Sequence, residues 1–491
     1  MTRTERALAA LAALTAAGAI ALAVASANGE AQQAPRPNVV LVMTDDQTVE
    51  QMQALERVRR LIGEPGTTFE RNFATYPLCC PSRATFLTGQ YSHNHRVRGN
   101  RPPAGGYETL RPTEGNTLPV WMKEAGYTTA HLGKYLNGYG PGDPTHVPAG
   151  WDRWFGSVDP STYNFFRYCI NDNGRLVNYG DPLPACAGAE QRPRTYQADV
   201  YTSEAVRYIE QRAPAAEPFF LSVAYLAPHS GGPNQPGARC QGSAKPAPRH
   251  RGAFQDAPLP RPPSFNEPDV SDKPEFIRRL PRLDEAAIAR LTTNYRCRRE
   301  SLLAVDEGVE QIMQALQRSG ELDNTLVIFT ADNGFFQGEH RVPGGKTKVY
   351  EPSVRVPALM RGPGVPAGRS VSALTGNIDL AATIAEAGGA RPGRPLDGVS
   401  LRQVAERPQA FDRRPILLEN GPQDGAANPE YVALRTSRFK LVAYANGERE
   451  LYDLRADPFE RRNIVGQSRT RGALDAQLKR LRRCAGRSCR G

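Results

Sequence analysis

The chain has 491 residues, with Lys+Arg 62 against Asp+Glu 51 and a formal net charge of +11. That length calls for two or three units, or one large domain with a small one. Hydrophobic residues at 40% allow a sizeable core, and Gly 45 with Pro 42 stays below the ~25–30% of low-complexity chains, which excludes disorder of the bulk. There is no heptad array, collagen period or longer internal repeat. The positive balance favours an anionic substrate or surface. Its one cluster is the tail Lys479, Arg480, Arg482, Arg483, Arg487 and Arg490, which reads as a solvated helix end. Nucleic acid is not an expected partner, because zinc-finger spacing and an aromatic-basic RNA signature are both missing.

Arg3 and Arg6 open a short polar start, Ala7 to Ala27 is apolar and Ala/Leu-rich, and Ala25-Ser26-Ala27 is a small-residue cleavage pattern. Residues 1–27 therefore read as a signal peptide and 28–37 as a polar linker. A retained anchor is the competing reading on length, but the alanine-rich run favours cleavage. The mature chain is then secreted, extracellular or in the cell envelope, with no stable membrane anchor. Export implies an oxidising compartment. Sequence-local pairing of six cysteines gives Cys169–Cys186, Cys240–Cys297 and Cys484–Cys489, one of several connectivities. Cys79-Cys80 remain over.

Four β-rich apolar runs follow in chain order, each ending in polar residues. Asn38–Thr44 leads into Asp45-Asp46, Gly126–Leu132 into Gly133-Lys134, Phe219–Tyr225 into Ala227-Pro228-His229, and Leu326–Thr330 into Ala331-Asp332-Asn333-Gly334. Such runs suit strands buried on both faces of a parallel sheet. Helical patterns over 117–125, 198–212 and 285–320 alternate with them, the last carrying Leu302, Val305, Val309, Ile312, Met313 and Leu316 at helical spacing. The expectation is an α/β domain, residues 38–375, with helices on both faces. Residues 376–491 form a smaller unit, with a meander over 431–435, 439–444 and 450–452 and a final helix over 473–483. The Pro/Gly/Arg-rich stretch 231–274 reads either as a wall of the substrate entrance or as disorder.

Ligands gather at the carboxyl ends of parallel strands. Asp45, Asp46, Lys134, His229, Asp332 and Asn333 all fall there. Singly, Asp45-Asp46 reads equally as a helix cap, Asp332-Asn333-Gly334 as a turn, and His229 as a loop histidine. Together, three carboxylates and an amide oxygen form a hard donor set suited to Ca²⁺ or Mg²⁺. The seven histidines show no zinc spacing.

In Cys79-Cys80-Pro81-Ser82-Arg83-Ala84-Thr85-Phe86-Leu87-Thr88-Gly89, Pro81 suits the first turn of a helix and Gly89 its end. Cys79 then lies just before a helix N-terminus, where an anion is favoured, with Arg83 one turn along. A vicinal pair with one partner in a disulfide fits the spacing equally well. The segment resembles the Cys-x-Pro-Ser-Arg signature of the sulfatase family. Gly126-Tyr127-Thr128-Thr129-Ala130-His131-Leu132-Gly133-Lys134-Tyr135 resembles that family's second signature. The likeness continues through Tyr350-Glu351, Arg355-Val356-Pro357 and Leu451-Tyr452-Asp453-Leu454.

The resemblance implies an alkaline-phosphatase-like layered sheet flanked by helices, with a smaller C-terminal antiparallel α+β subdomain. It implies that Cys79 is oxidised to formylglycine (3-oxoalanine) by a formylglycine-generating enzyme. Asp45, Asp46, Asp332, Asn333 and the modified Cys79 would hold one Ca²⁺ (or Mg²⁺), and Arg83, Lys134, His229 and Lys346 would surround the sulfate. The family's Gly-Lys-x-His histidine is absent from Gly133-Lys134-Tyr135-Leu136-Asn137, which leaves Asn137 or His340 as stand-ins. The Gly-Lys-Tyr-Leu-Asn form, with His93-Asn94-His95, is similar to the glucosamine-6-sulfatase branch, which acts on sulfated glycosaminoglycans. The implied activity is hydrolysis of a sulfate ester, on a sulfated carbohydrate or a small ester. An arylsulfatase, a phosphate or phosphonate ester hydrolase of the same superfamily, and a silent module binding sulfated glycans are the alternatives.

Overall fold

A strand without polar alternation must be covered on both sides, and β1 (Asn38–Thr44) is buried at every position. Val39, Leu41 and Met43 enter one core, and Val40 and Val42 enter another. The computed structural model describes residues 36–490 apart from 214, 216, 233, 235–237, 423–428 and 468. The expected signal peptide and nearly all of the linker lie outside the described residues.

In chain order the strands are β2 (Thr67–Phe69), β3 (Thr128–Gly133), β4 (Arg153–Ser157), β5 (Tyr168–Asp172), β6 (Arg175–Tyr179) and β7 (Glu190–Arg192), followed by β8 (Phe219–Ala224), β9 (Thr325–Ala331), β10 (Ala358–Arg361) and β11 (Arg369–Val371). With β1 they form an 11-stranded sheet in the order β11-β2-β10-β9-β1-β8-β3-β4-β5-β6-β7. The central strands β9, β1, β8, β3 and β4 are parallel. Antiparallel pairs then extend the sheet through β10 on one side and β5 on the other.

Helices α1 (Cys79–Thr88), α2 (Gln197–Arg212), α3 (Glu285–Arg318) and α4 (Leu380–Gly388) cover the two faces. Tyr201 and Ile209 of α2, with Leu302, Val305, Val309 and Ile312 of α3, pack on the Val40 side. Ala84 and Leu87 of α1, with Leu380 and Ile384 of α4, pack on the Val39 side. Asp284 caps α3, its carboxylate accepting from the Ala287 N–H at 2.7 Å.

The C-terminal sheet is antiparallel, in the order β12 (Ile416–Asn420), β13 (Tyr431–Arg435), β14 (Phe439–Tyr444) and β15 (Arg449–Asp453). β12 was not among the expected strands. Leu474, Leu478 and Leu481 of α5 (Arg471–Leu481) cover one face. Phe73, Phe336 and Tyr350 from the preceding chain cover the other. The three sequence-local disulfides are all formed. The described part of 231–274 is held to α3 by Cys240–Cys297 and by the Arg239–Glu300 ion pair at 2.6 Å. No helix among the described residues is long and apolar enough to cross a membrane.

Candidate active site at the carboxyl ends of the parallel strands

Strand register assembles the site. Thr44 of β1 lies opposite Ala331 of β9, so Asp45-Asp46 and Asp332-Asn333 leave the sheet side by side. Ala224 of β8 pairs with Met43 on one side and Gly133 on the other, which brings Lys134 to the same edge. The Lys134 N–H donates to the Ala224 carbonyl at 3.0 Å. Gly133 has φ +100, and a Cβ there would lie 2.2 Å from that carbonyl, so only glycine fits this exit. Lys346 comes from the loop after β9, fixed where the Thr347 N–H donates to the Pro77 carbonyl, just before α1.

Cys79 is the first residue of α1 with Leu78 as its N-cap, one position further into the helix than the motif suggested. Gly89 ends α1 in the left-handed region, its N–H on the Thr85 carbonyl. The Cys79 Sγ lies 3.5 Å from Asp45 Oδ1 and 2.8 Å from Lys346 Nζ. Both Cys79 and Cys80 are free and buried, so neither is a disulfide partner.

The other candidates interlock around this sulfur. Lys134 Nζ binds Asp45 Oδ2, and Lys346 Nζ binds Asp46 Oδ1. Asn333 Nδ2 donates to Asp46 Oδ1 at 2.6 Å, and the Asp46 N–H donates to Asp332 Oδ1 at 3.1 Å. His229 Nε2 is 3.6 Å from Asp46 Oδ2, while its Nδ1 hydrogen-bonds the Ser230 carbonyl at 2.6 Å. Arg83 donates to Asp332 Oδ2 at 2.9 Å, to the Lys134 carbonyl at 2.7 Å and to Asp45 Oδ2 at 3.5 Å. With its donors committed in this way, Arg83 orients carboxylates from behind them.

Charge balance keeps the site ionised. Burial alone would raise the Asp45 carboxyl, but Lys134, His229, Lys346 and Arg83 hold it well below its usual value. Asp46 is lowered too, against its burial, chiefly by Lys346 and His229. Asp332 goes the other way, raised by burial and by Asp45. Lys134 and Lys346 are raised despite burial, each by its aspartate. Burial lowers His229 in spite of both aspartates. Burial and Asp45 push the Cys79 thiol up to about 12.

Asp45, Asp46, Cys79 and His229 offer ligand atoms within 4.8 Å of one another. Asn333 Oδ1 is buried with no hydrogen-bond partner. An orphaned amide oxygen among three buried carboxylates fits a hard divalent cation.

Asn137 stands at the margin of this cluster, donating to Tyr163 Oη at 2.6 Å. His340 is not brought to it: its Nδ1 pairs with Glu267 at 2.8 Å and its ring lies on Tyr350. Two residues escaped the sequence reading. Tyr163 sits under Lys134, Nζ 4.8 Å from the ring centroid, and 5.1 Å from the His229 ring. It comes from a short turn that carries no periodic signal. Arg298 donates to the Asp46 carbonyl and stacks on Phe335. Burial lowers its guanidinium to about 10, despite Asp46 and Asp45. A signal for Arg298 did exist: it falls on the buried stripe Leu291, Tyr295, Arg298, Leu302, Val305, where a cation is out of place.

Residues 37–390 match the sulfatase family model, and residues 338–485 match the model described as N-sulphoglucosamine sulphohydrolase, C-terminal. The chain is 31% identical to N-acetylglucosamine-6-sulfatase of Homo sapiens, over 94% of this chain and 87% of that protein. It is 34% identical to an arylsulfatase of Volvox carteri, over 92% and 76%. A protein solved in complex with its substrate D-glucosamine-2-N,6-O-disulfate has the same fold, with a TM-score of 0.72 at 24% identity, covering 90% of this chain and 97% of that one. An alkaline-phosphatase-like sheet and these family matches define a sulfuric ester hydrolase. The chain belongs to the sulfatase family.

Proposed function

We propose that this sulfatase removes sulfate from sulfated sugars, glucosamine-6-sulfate units of glycosaminoglycans in particular, using a formylglycine made from Cys79. The observation that carries the reading is the placement of the Cys79 side chain: first in a buried helix, 3.5 Å from Asp45 and 2.8 Å from Lys346. The substrate class is supported by the N-acetylglucosamine-6-sulfatase relatives. The chain is exported after signal cleavage and matured by a formylglycine-generating enzyme.

Asp45, Asp46, Asp332 and Asn333 would hold Ca²⁺ (Mg²⁺ has the same donor chemistry), which supplies a Lewis acid beside residue 79 when bound. Hydrated formylglycine supplies two hydroxyls on one carbon, one to attack sulfur and one for release of sulfate, where serine or cysteine offers a single group. The rest of the chemistry belongs to this chain's own side chains. Asp45 is placed to take a proton from residue 79. Lys134 and Lys346, kept charged by Asp45 and Asp46, hold the sulfonyl oxygens as negative charge grows on them. His229 has Nδ1–H fixed on the Ser230 carbonyl, so Nε2 must first take up a proton, the imidazolium being favoured by Asp46 and Asp45 against its burial, before it gives that proton to the departing sugar oxygen.

Cys79→Ser is expected to fold normally and lose ~10³-fold or more of turnover on N-acetylglucosamine-6-sulfate. The tryptic peptide of the active protein should carry the mass of an aldehyde at residue 79. A thiol there in fully active protein would refute the mechanism. Equal rates on the matched 6-phosphate would shift the assignment to a phosphate ester hydrolase.

A further inference from the structure

A second concavity, of about 1230 Å³, lies between the β11-β2-β10 edge of the large sheet and the turn joining β13 to β14. None of the active-site side chains lines it. Seven arginines face it against three glutamates. Of these, Arg435 is paired with Glu351 and Arg438 with Asp453. Arg59, Arg71, Arg355, Arg369 and Arg455 have no ion-pair partner among the described residues.

Three of these five are held in place without being neutralised. Arg71 donates to the Ser372 and Ser437 carbonyls, Arg355 to the Glu70 carbonyl at 2.9 Å, and Arg369 to the Ala405 carbonyl at 2.6 Å. Backbone carbonyls fix a guanidinium's direction and leave its charge and its remaining N–H groups outward. Like charges are also gathered here: burial and the neighbouring Arg435 lower the Arg71 guanidinium against the pull of Glu70, Asp412 and Glu351. Fixed guanidiniums that outnumber the glutamates Glu64 and Glu70 facing the same groove suit the oxyanions of a polyanion.

We infer that this groove is a binding site, separate from the catalytic cluster, for a further sulfated stretch of a polysaccharide chain. The inference rests on the sulfated-sugar reading for its choice of polyanion. It makes the enzyme one that grips a polymer at two places, so a monosaccharide ester bypasses the second grip.

The test uses the full chain with Cys79→Ser, so that binding is read without turnover, and a fluorescent heparin octasaccharide as probe. Wild-type groove residues should bind the probe with a steep salt dependence. Arg59→Gln with Arg455→Gln, which removes no side-chain hydrogen bond among the described residues, should weaken binding about three- to tenfold and flatten the salt slope. Arg71→Gln with Arg369→Gln should weaken it further. In the Cys79 background the same variants should raise KM on heparin fragments and leave kcat/KM on N-acetylglucosamine-6-sulfate unchanged. Unchanged heparin affinity in the Arg59/Arg455 variant overturns the site. Equal affinity for duplex DNA of matched charge overturns its assignment to sulfated glycan. Heparin binding that persists while the protein with Cys79 intact turns over no sulfate ester would sink the sulfated-sugar activity alone, so the two failures separate.

Discussion

Arg83 and Asn333 show how much of this site's chemistry depends on single atoms. Arg83 binds two carboxylates and a carbonyl while fully buried, so its loss would leave Asp332 and Asp45 facing each other without their shared cation. Asn333 has one polar atom used and one unused: Nδ2 holds Asp46, and Oδ1 is buried and unpartnered. If that oxygen is a cation ligand, Asn333→Ala should raise the Ca²⁺ concentration for half-maximal turnover by about tenfold or more. A Ca²⁺ titration after chelation reads this, and the thermal shift on adding Ca²⁺ should shrink in parallel. Asp45, Asp46, Asp332, Asn333 and Lys134 were legible in the sequence because each directly follows a strand, where a parallel sheet exposes its ligating edge. Lys346, and the proposed modification of Cys79, came only from the family motif. Tyr163 was not legible, because it reaches Lys134 and His229 through a turn without any repeat.

At the level of elements, the short helix His93 belongs to, Ser92–His95, ties the catalytic unit to the C-terminal sheet. His93 Nδ1 contacts Glu419 of β12 at 2.9 Å, and its Nε2 contacts the Cys484 carbonyl at 2.9 Å. Burial lowers the His93 pKa, but Glu419 more than offsets this and raises it above the ordinary histidine value. A raised folded pKa means that the protonated ring stabilises the fold fully below the unfolded value of about 6.5, and that this contribution is lost as pH rises through the folded value. His93→Gln should therefore cost more stability at pH 6 than at pH 8.5, read as the difference in urea midpoint between variant and wild type. An equal loss at both would assign His93 a packing role only. Helix α3 was legible almost to its ends because a 3.6-residue period is written along it. The strand β12 was missed although Asn420-Gly421-Pro422 marks its end, because the short apolar run Ile416-Leu417-Leu418 does not by itself tell a buried strand from a piece of helix.

Across the whole molecule, the loop 231–274 has no regular element beyond a short turn at Pro248–His250 among its described residues. It is held by one cross-link spanning 57 residues, Cys240–Cys297. Replacing both cysteines by serine should cost about 2–4 kcal/mol of stability, measured as a lower denaturation midpoint. Turnover should fall further than the fraction unfolded accounts for if the loop also walls the entrance. Unchanged stability would mean that Arg239–Glu300 and the loop's packing suffice. By itself, the sequence determined the order of buried strands and the polar residues at their ends, because each of these is set by neighbours in the chain; the three disulfides were one of several pairings until the structure formed them. Only the tertiary structure decided that Arg83 and Arg298 stand behind the carboxylates, that His340 turns away to Glu267, and that arginines from β11 and from the β13–β14 turn share a groove. Those facts depend on register and on which distant segments pack together, and the energies that set them belong to no local stretch of sequence.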